Sequence, residues 1–189
     1  MADPKNPLVS DTPPERWRGL KGGTGSWRGE LVSLFIAPNA GSPMISLAQV
    51  RAFADRGLEG DRFFRESWKA ASRPDKAVTL IEEETLRLAE AELGVEALAE
   101  KARRNIVTRG VPLVDLLDKE FTIGQVRLRG IRLFEPCDHV ESVAAVPGLF
   151  RALEHRSGLK AAILSDGMIR VGDRIAPCEE TTAAERASA

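Results

Sequence analysis

Val126-Arg127-Leu128-Arg129-Gly130-Ile131-Arg132-Leu133 is the stretch that decides the fold. Apolar and charged residues alternate along it with the period of a β-strand that turns one face to a core and the other to water. The apolar set sits on even numbers at Val126 and Leu128 but on odd numbers at Ile131 and Leu133, so the register flips at Gly130. One extra residue at that glycine, a β-bulge, returns both halves to the same face.

Shorter runs of similar character recur on either side. Leu31 to Ile36 is an apolar run ended by Pro38-Asn39-Ala40-Gly41, and Ile45 to Phe53 reads as one further strand. Ala77 to Ile81, Asn105 to Thr108 and Phe121 to Ile123 follow, and Ala161 to Leu164 with Met168 to Val171 reads as a hairpin across Ser165-Asp166-Gly167. Between these, Glu82-Glu83-Glu84 opens a helix whose Leu86, Ala89 and Leu93 share a face and whose stop is Gly94. Residues 95–102 form another short helix, Pro112 to Leu117 a single helical turn, and Pro147 to His155 a further helix. Asp55 to Arg62 is a tight loop, and residues 63–76 are irregular. Short strands outnumber helices and do not alternate with them in βαβ fashion. The fold class is mainly β: a β-barrel with a few short helices in the connections.

Composition sets the outer limits. The 189 residues, 43% of them hydrophobic, suffice for one domain with its own core. Residues 1–28 are rich in proline and glycine and read as a flexible arm, although Trp17 and Trp27 favour some packing onto the domain. The stretch after Ile175 reads as a polar tail, giving a domain over 29–176 and a tail over 177–189. With 27 basic against 28 acidic residues there is no global pull toward nucleic acid or anionic lipid, so any anion binding is local. The two cysteines, Cys137 and Cys178, and the absence of a signal-like start point to reduced thiols in the cytoplasm. The apolar runs are too short for a membrane helix.

The chemistry concentrates in two places. Arg103-Arg104-Asn105-Ile106-Val107-Thr108-Arg109-Gly110 places guanidinium groups around an amide. Such donors suit phosphate or pyrophosphate, and a surface ion-pair network is the alternative. Read as a strand, the segment sets Arg103 and Asn105 on one face and Arg104 on the other. Downstream, Cys137 follows a strand and Pro136, and Asp138 to Val143 reads as a helical turn whose backbone N–H groups would favour a thiolate. A small buried hydrophobe is the alternative for Cys137 and the favoured reading of Cys178. Cys137, His139, His155 and Cys178 lack the paired spacing of a structural zinc site. Gly60-Asp61-Arg62 either adds a polar contact or turns the chain. No Gly-rich phosphate loop, Gly-x-Ser-x-Gly elbow or His-Glu-x-x-His helix is present.

Taken in order, Gly57-Leu58-Glu59-Gly60-Asp61-Arg62, the Arg103 to Gly110 segment, Phe121 with Gly124, Glu135-Pro136-Cys137, Gly158-Leu159-Lys160-Ala161 and Gly172-Asp173 resemble the MOSC family, domains similar to the C-terminal part of molybdenum cofactor sulfurase. The resemblance spans roughly residues 29–176 and implies a β-barrel of the short stand-alone bacterial kind. It implies the molybdenum cofactor (molybdopterin) as ligand, with Cys137 as catalytic residue and molybdenum ligand or persulfide carrier. Arg103 and Asn105 match the pair that contacts the cofactor's phosphate and pterin, and Arg104, Arg109 and Asp61 transfer by neighbourhood. Neither a pyridoxal-phosphate desulfurase domain nor iron–sulfur cysteines are found, so an electron-transfer protein or a cysteine desulfurase is expected as partner. Three readings follow: an oxidoreductase that reduces N-hydroxylated compounds, a sulfur carrier, and a non-catalytic cofactor-binding or chaperone module.

Overall fold

The bulge anticipated at Gly130 is present, and it is forced by more than register. A Cβ on Gly130 would stand 2.1 Å from the Leu116 carbonyl oxygen, so only glycine allows the connection before the strand to pass so close. The computed structural model describes residues 27–64, 78–136 and 140–178. In chain order these form β1 (Gly29–Ile36), β2 (Ile45–Ser46), β3 (Gln49–Phe53), β4 (Gly57–Leu58) and β5 (Val78–Glu82), then helices α1 (Glu83–Leu93) and α2 (Leu98–Lys101). There follow β6 (Ile106–Arg109), a 3-10 turn (Leu113–Leu116), β7 (Glu120–Ile123), β8 (Val126–Leu133), α3 (Val140–Ala144), α4 (Leu149–Leu153), β9 (Leu159–Ile163), β10 (Gly167–Arg170) and β11 (Arg174–Pro177).

Seven strands close into a barrel in the order β11-β7-β8-β9-β5-β6-β1, with β1 pairing back onto β11. Every pairing in the barrel is antiparallel except β5 with β6. A parallel neighbour requires a crossover, and α1 and α2 supply it, so one βαβ step does occur. β3, β4 and β10 form a separate three-stranded sheet against the barrel.

Burial explains why the strands read so differently. Leu34, Leu80 and Ile106 point into the barrel core, whereas Phe35, Ile81 and Val107, one residue on, join a second cluster with Leu86, Ala89, Leu98, Leu149 and Leu153 from the helices. β1, β5 and β6 are covered on both faces at Leu34–Ile36, Leu80–Ile81 and Ile106–Val107, and there apolar residues follow one another. β8 has one wet face, so Arg127 and Arg129 alternate with buried Val126 and Leu128. α1 ends as the sequence implies, at Gly94 in the left-handed region (φ 64°), its N–H donating to the Glu90 carbonyl. Trp27 packs against the barrel core.

Several expectations need correction. Ile45 to Phe53 is two strands, because β2 pairs with β1 while β3 leaves for the smaller sheet. Glu82 ends β5 instead of opening the helix. The hairpin across residues 165–167 does not form: β9 pairs with β8 and β5, and β10 pairs with β3. The turn residues bind other strands instead, Ser165 Oγ accepting the Arg127 N–H (2.9 Å) and Asp166 Oδ1 the Ala54 N–H (2.7 Å). Arg174–Pro177, read partly as tail, is the strand that closes the barrel. The arm before Trp27, most of the irregular loop, Cys137, His139 and the last eleven residues lie outside the described residues.

Candidate functional site

Strand register builds a polar row across the outside of the barrel. Arg132 on β8 pairs with Lys160 on β9, Lys160 pairs with Thr79 on β5, and the Asn105 N–H donates to the Thr79 carbonyl (3.0 Å). Phe35 on β1 then donates its N–H to the Asn105 carbonyl (2.7 Å). Because the alternate residues Leu80, Ile106 and Leu159 face the core, this row faces outward, toward the helices.

The arginine segment does not enter the row as a strand. Arg103 is left-handed (φ 59°), and β6 starts only at Ile106, so the alternation that paired Arg103 with Asn105 does not apply. Arg103 Nη1 donates to the Ser42 carbonyl (2.9 Å). Arg104 is buried; its Nε donates to the Ser157 carbonyl (2.9 Å), Nη1 to the Ala102 carbonyl (2.6 Å) and Nη2 to the Ser157 hydroxyl. Its guanidinium carbon lies 3.6 Å from the centroid of the Phe134 ring, and Lys160 Nζ lies 4.5 Å from the same centroid. Two cations therefore share one aromatic ring, and Arg132 sits beside Lys160 in register. Phe134 stands three residues before Cys137 in sequence, so this positive potential borders the segment that leads to the cysteine. Such a field favours an anion, whether a ligand phosphate or a thiolate.

Asn105 and Asp61 meet, but in a framework role. Asn105 Nδ2 donates to Asp61 Oδ2 and to the Phe35 carbonyl (both 3.2 Å), and its Oδ1 accepts from the Thr79 N–H (3.1 Å) and hydroxyl (2.9 Å). The amide has two hydrogens to give and two lone pairs to receive with, and all four are engaged by protein. Asp61 also accepts the Ala37 and Phe63 N–H groups (3.0 Å each), pinning the loop after β4 to the end of β1. The pair is buried.

Arg109 is not brought to the others. It ends β6, about four residues and therefore roughly 13 Å along the strand from Asn105. There its Nε and Glu83 Oε2 are 2.7 Å apart, with Glu30 at 3.5 Å. That hydrogen bond, more than any other factor, holds the Glu83 carboxyl below its ordinary range. At the same end Glu82 is buried, and loss of water pushes it up to about 7 against the lowering effect of its backbone hydrogen bonds, the Leu113 N–H (3.2 Å) among them. Cys178 has its thiol raised by burial and then by the Glu120 charge, which keeps it protonated.

Sequence reasoning missed Ser157 and Phe134, whose partner Arg104 lies 53 and 30 positions away, and their only signal was that Gly158-Leu159-Lys160 and Glu135-Pro136-Cys137 stand next to them among the motifs quoted above. Glu135 and His155 were each named, but not as the pair they form, Glu135 lying 2.9 Å from the His155 N–H and 3.1 Å from Nδ1. Among the described residues no group of three or more His, Cys, Asp or Glu side chains is arranged to hold a metal. No helix among them is long and apolar enough to cross a membrane.

The MOSC domain family model matches residues 60–176. No curated protein matches the sequence. Among solved structures, the YUAD protein of Bacillus subtilis is similar with a TM-score of 0.66 at 17% identity, over 81% of this chain and 100% of that one. YiiM of Geobacillus stearothermophilus gives 0.61 at 18% identity, over 82% and 78% of the two chains. YiiM of Escherichia coli gives 0.56 at 16% identity, over 83% and 71%. At such identities the likeness is one of fold.

Proposed function

The chain belongs to the MOSC family, and from that premise we propose that it binds the molybdenum cofactor and reduces N-hydroxylated compounds, with Cys137 as molybdenum ligand and electrons delivered by a separate electron-transfer protein. The observation that carries this reading is the buried Arg104 guanidinium and the Lys160 ammonium, 3.6 and 4.5 Å from the centroid of one ring, that of Phe134, three residues before Cys137.

The residues present fit the anionic end of the cofactor. Arg104 is buried and held by carbonyl and hydroxyl acceptors, so it contributes fixed positive charge, and Lys160 and Arg132 add charge from the neighbouring strands. Arg103 stands at the edge of the same turn. Asn105 fits a contact with the pterin less well, because its amide is engaged by Thr79, Phe35 and Asp61; its role in this reading is to hold the loop that carries Asp61. When bound, the cofactor supplies two-electron redox chemistry. The net reaction breaks an N–O bond, forms an N–H bond and releases water, consuming two electrons and two protons. In this reading the positive field is what would favour Cys137 as the thiolate, the form that ligates metal.

Metal and pterin analysis of protein purified from molybdenum-replete cells tests the proposal. The expected result is molybdenum and pterin in the parent, molybdenum lost in Cys137→Ser, and pterin reduced in Lys160→Gln. A parent with neither metal nor pterin refutes it. A mass gain of about 32 Da on Cys137 after treatment with a cysteine desulfurase and cysteine would identify the sulfur carrier instead.

A further inference from the structure

The turn after α4 lies along the segment that leaves β8. Leu133 pairs with Leu159, and the Phe134 N–H donates to the Gly158 carbonyl (2.7 Å). Arg104 bonds Ser157 and lies on the Phe134 ring, and Glu135 holds His155. Residues 133–135 and 155–159 are thus fastened side by side. Glu135 and Cys137 are two positions apart, a span of at most about 7 Å even for extended chain. His155 is therefore delivered to the neighbourhood of the proposed molybdenum ligand.

Glu135 grips this one residue twice. Its Oε2 accepts the His155 backbone N–H (2.9 Å), and its Oε1 lies 3.1 Å from the ring Nδ1. A carboxylate only accepts, so the neutral ring carries its hydrogen on Nδ1 and keeps its lone pair on Nε2. The backbone of His155 is left-handed (φ 59°), uncommon for a residue with a Cβ, and the carboxylate on its N–H helps to hold it there. The side chain is neither sealed in the core nor spread on the surface, being 28% exposed. An imidazole held in this way is a directed acceptor, its angle set from behind by Glu135.

We propose, on the reading above that the chain reduces N-hydroxylated compounds, that His155 is the residue that selects them, its Nε2 accepting the hydrogen of the N–O–H group. An N-hydroxylated compound has an O–H to donate. The oxygen of an N-oxide only accepts, and it meets the Nε2 lone pair with its own. A polar group left facing the wrong partner weakens binding far more than a missing apolar contact, so one lone pair separates the two classes. His155 thereby touches the oxygen that leaves as water, and Glu135 is a positioning residue that acts through it.

Glu135→Gln reverses the polarity of the ring with little change of shape. The His155 backbone N–H only donates, so it takes the amide oxygen. The amide NH2 is left against Nδ1, which must then accept, and the ring hydrogen moves to Nε2. Ring nitrogen shifts in NMR at about pH 8.5 report the tautomer. The chain has two histidines, and His155→Asn, which tolerates the left-handed backbone, identifies the signal of His155. The expected result is the Nδ1–H form in the parent and the Nε2–H form in Glu135→Gln. With protein purified from molybdenum-replete cells and no reductant present, benzamidoxime should bind the parent about tenfold or more tighter than pyridine N-oxide, and Glu135→Gln should narrow or reverse that ratio. A parent ring in the Nε2–H form, or a ratio unchanged by both Glu135→Gln and His155→Asn, overturns the proposal. Lower thermal stability with the ratio intact also overturns it, since the pair would then only staple the turn. Selective binding by a parent that contains neither molybdenum nor pterin would refute the reaction proposed above and leave the selection by His155 standing.

Discussion

Removing the Asn105 side chain separates a structural amide from a ligand-binding one. Asn105→Ala deletes contacts to the Thr79 N–H, the Phe35 carbonyl and the Asp61 carboxylate at 3.1 to 3.2 Å, in a place buried from water. Each neutral partner left without a bond costs about 1 kcal/mol or more, and the carboxylate about 2. Asp61 retains its Ala37 and Phe63 donors, so its loop loosens but is not released. The sum is about 4 kcal/mol, or roughly 10 °C in the melting midpoint of a domain of this size. Equilibrium urea unfolding of Asn105→Ala, Asp61→Ala and the double variant isolates the shared bond, whose coupling should be about 2 kcal/mol. Additive effects, or an Asn105→Ala loss below about 1 kcal/mol, would refute the framework role. Unchanged stability with lost pterin would show the amide to be a ligand contact.

Other consequences are simpler to check. Glu82 has a folded-state pKa raised to about 7 from 4.5, so the folded form holds the proton more tightly; its destabilising effect is absent below about pH 4.5, grows from there to about pH 7 and is constant above. Unfolding at pH 5 and 8 should show the parent losing up to about 3 kcal/mol more than Glu82→Gln, and parallel losses would contradict the shift. Gly158→Ala places a Cβ 1.8 Å from the Leu80 carbonyl oxygen and should prevent folding, whereas Gly172→Ala, also left-handed (φ 87°) but with open space around it, should cost about 1 kcal/mol by thermal melt. Arg109→Ala should leave pterin and molybdenum content at the parent level, because its guanidinium serves Glu83 and Glu30.

What the sequence disclosed was what local physics writes into it. Alternation marked β8, its failure at Gly130 marked the bulge, and Gly94 marked the end of α1, each needing only neighbours within a few residues. Fates decided by distant partners stayed hidden. Ser165 and Asp166 look like hairpin residues, yet they bond Arg127 and Ala54, and Arg174–Pro177 is a strand only because β1 and β7 flank it. In the candidate site, the cluster of arginines was visible but not its division. A left-handed Arg103 leaves no mark in composition, so alternation assigned to Arg103 and Asn105 a shared face, while Arg104 takes the place on Phe134.

The seam between β1 and β11 sets a schedule for synthesis. Gly29 pairs with Ile175 and Glu30 with Arg174, so the first barrel strand to leave the ribosome waits for the last. Until then the open edges of β1 and β7 offer unpaired N–H and C=O groups to any neighbouring chain. Nascent barrels crowded on one messenger are thus exposed to mispairing until the last strand is made, and a stall before residue 174 leaves an unsealed sheet. The same adjacency makes the seam a natural place to join the ends and reopen the chain elsewhere by circular permutation.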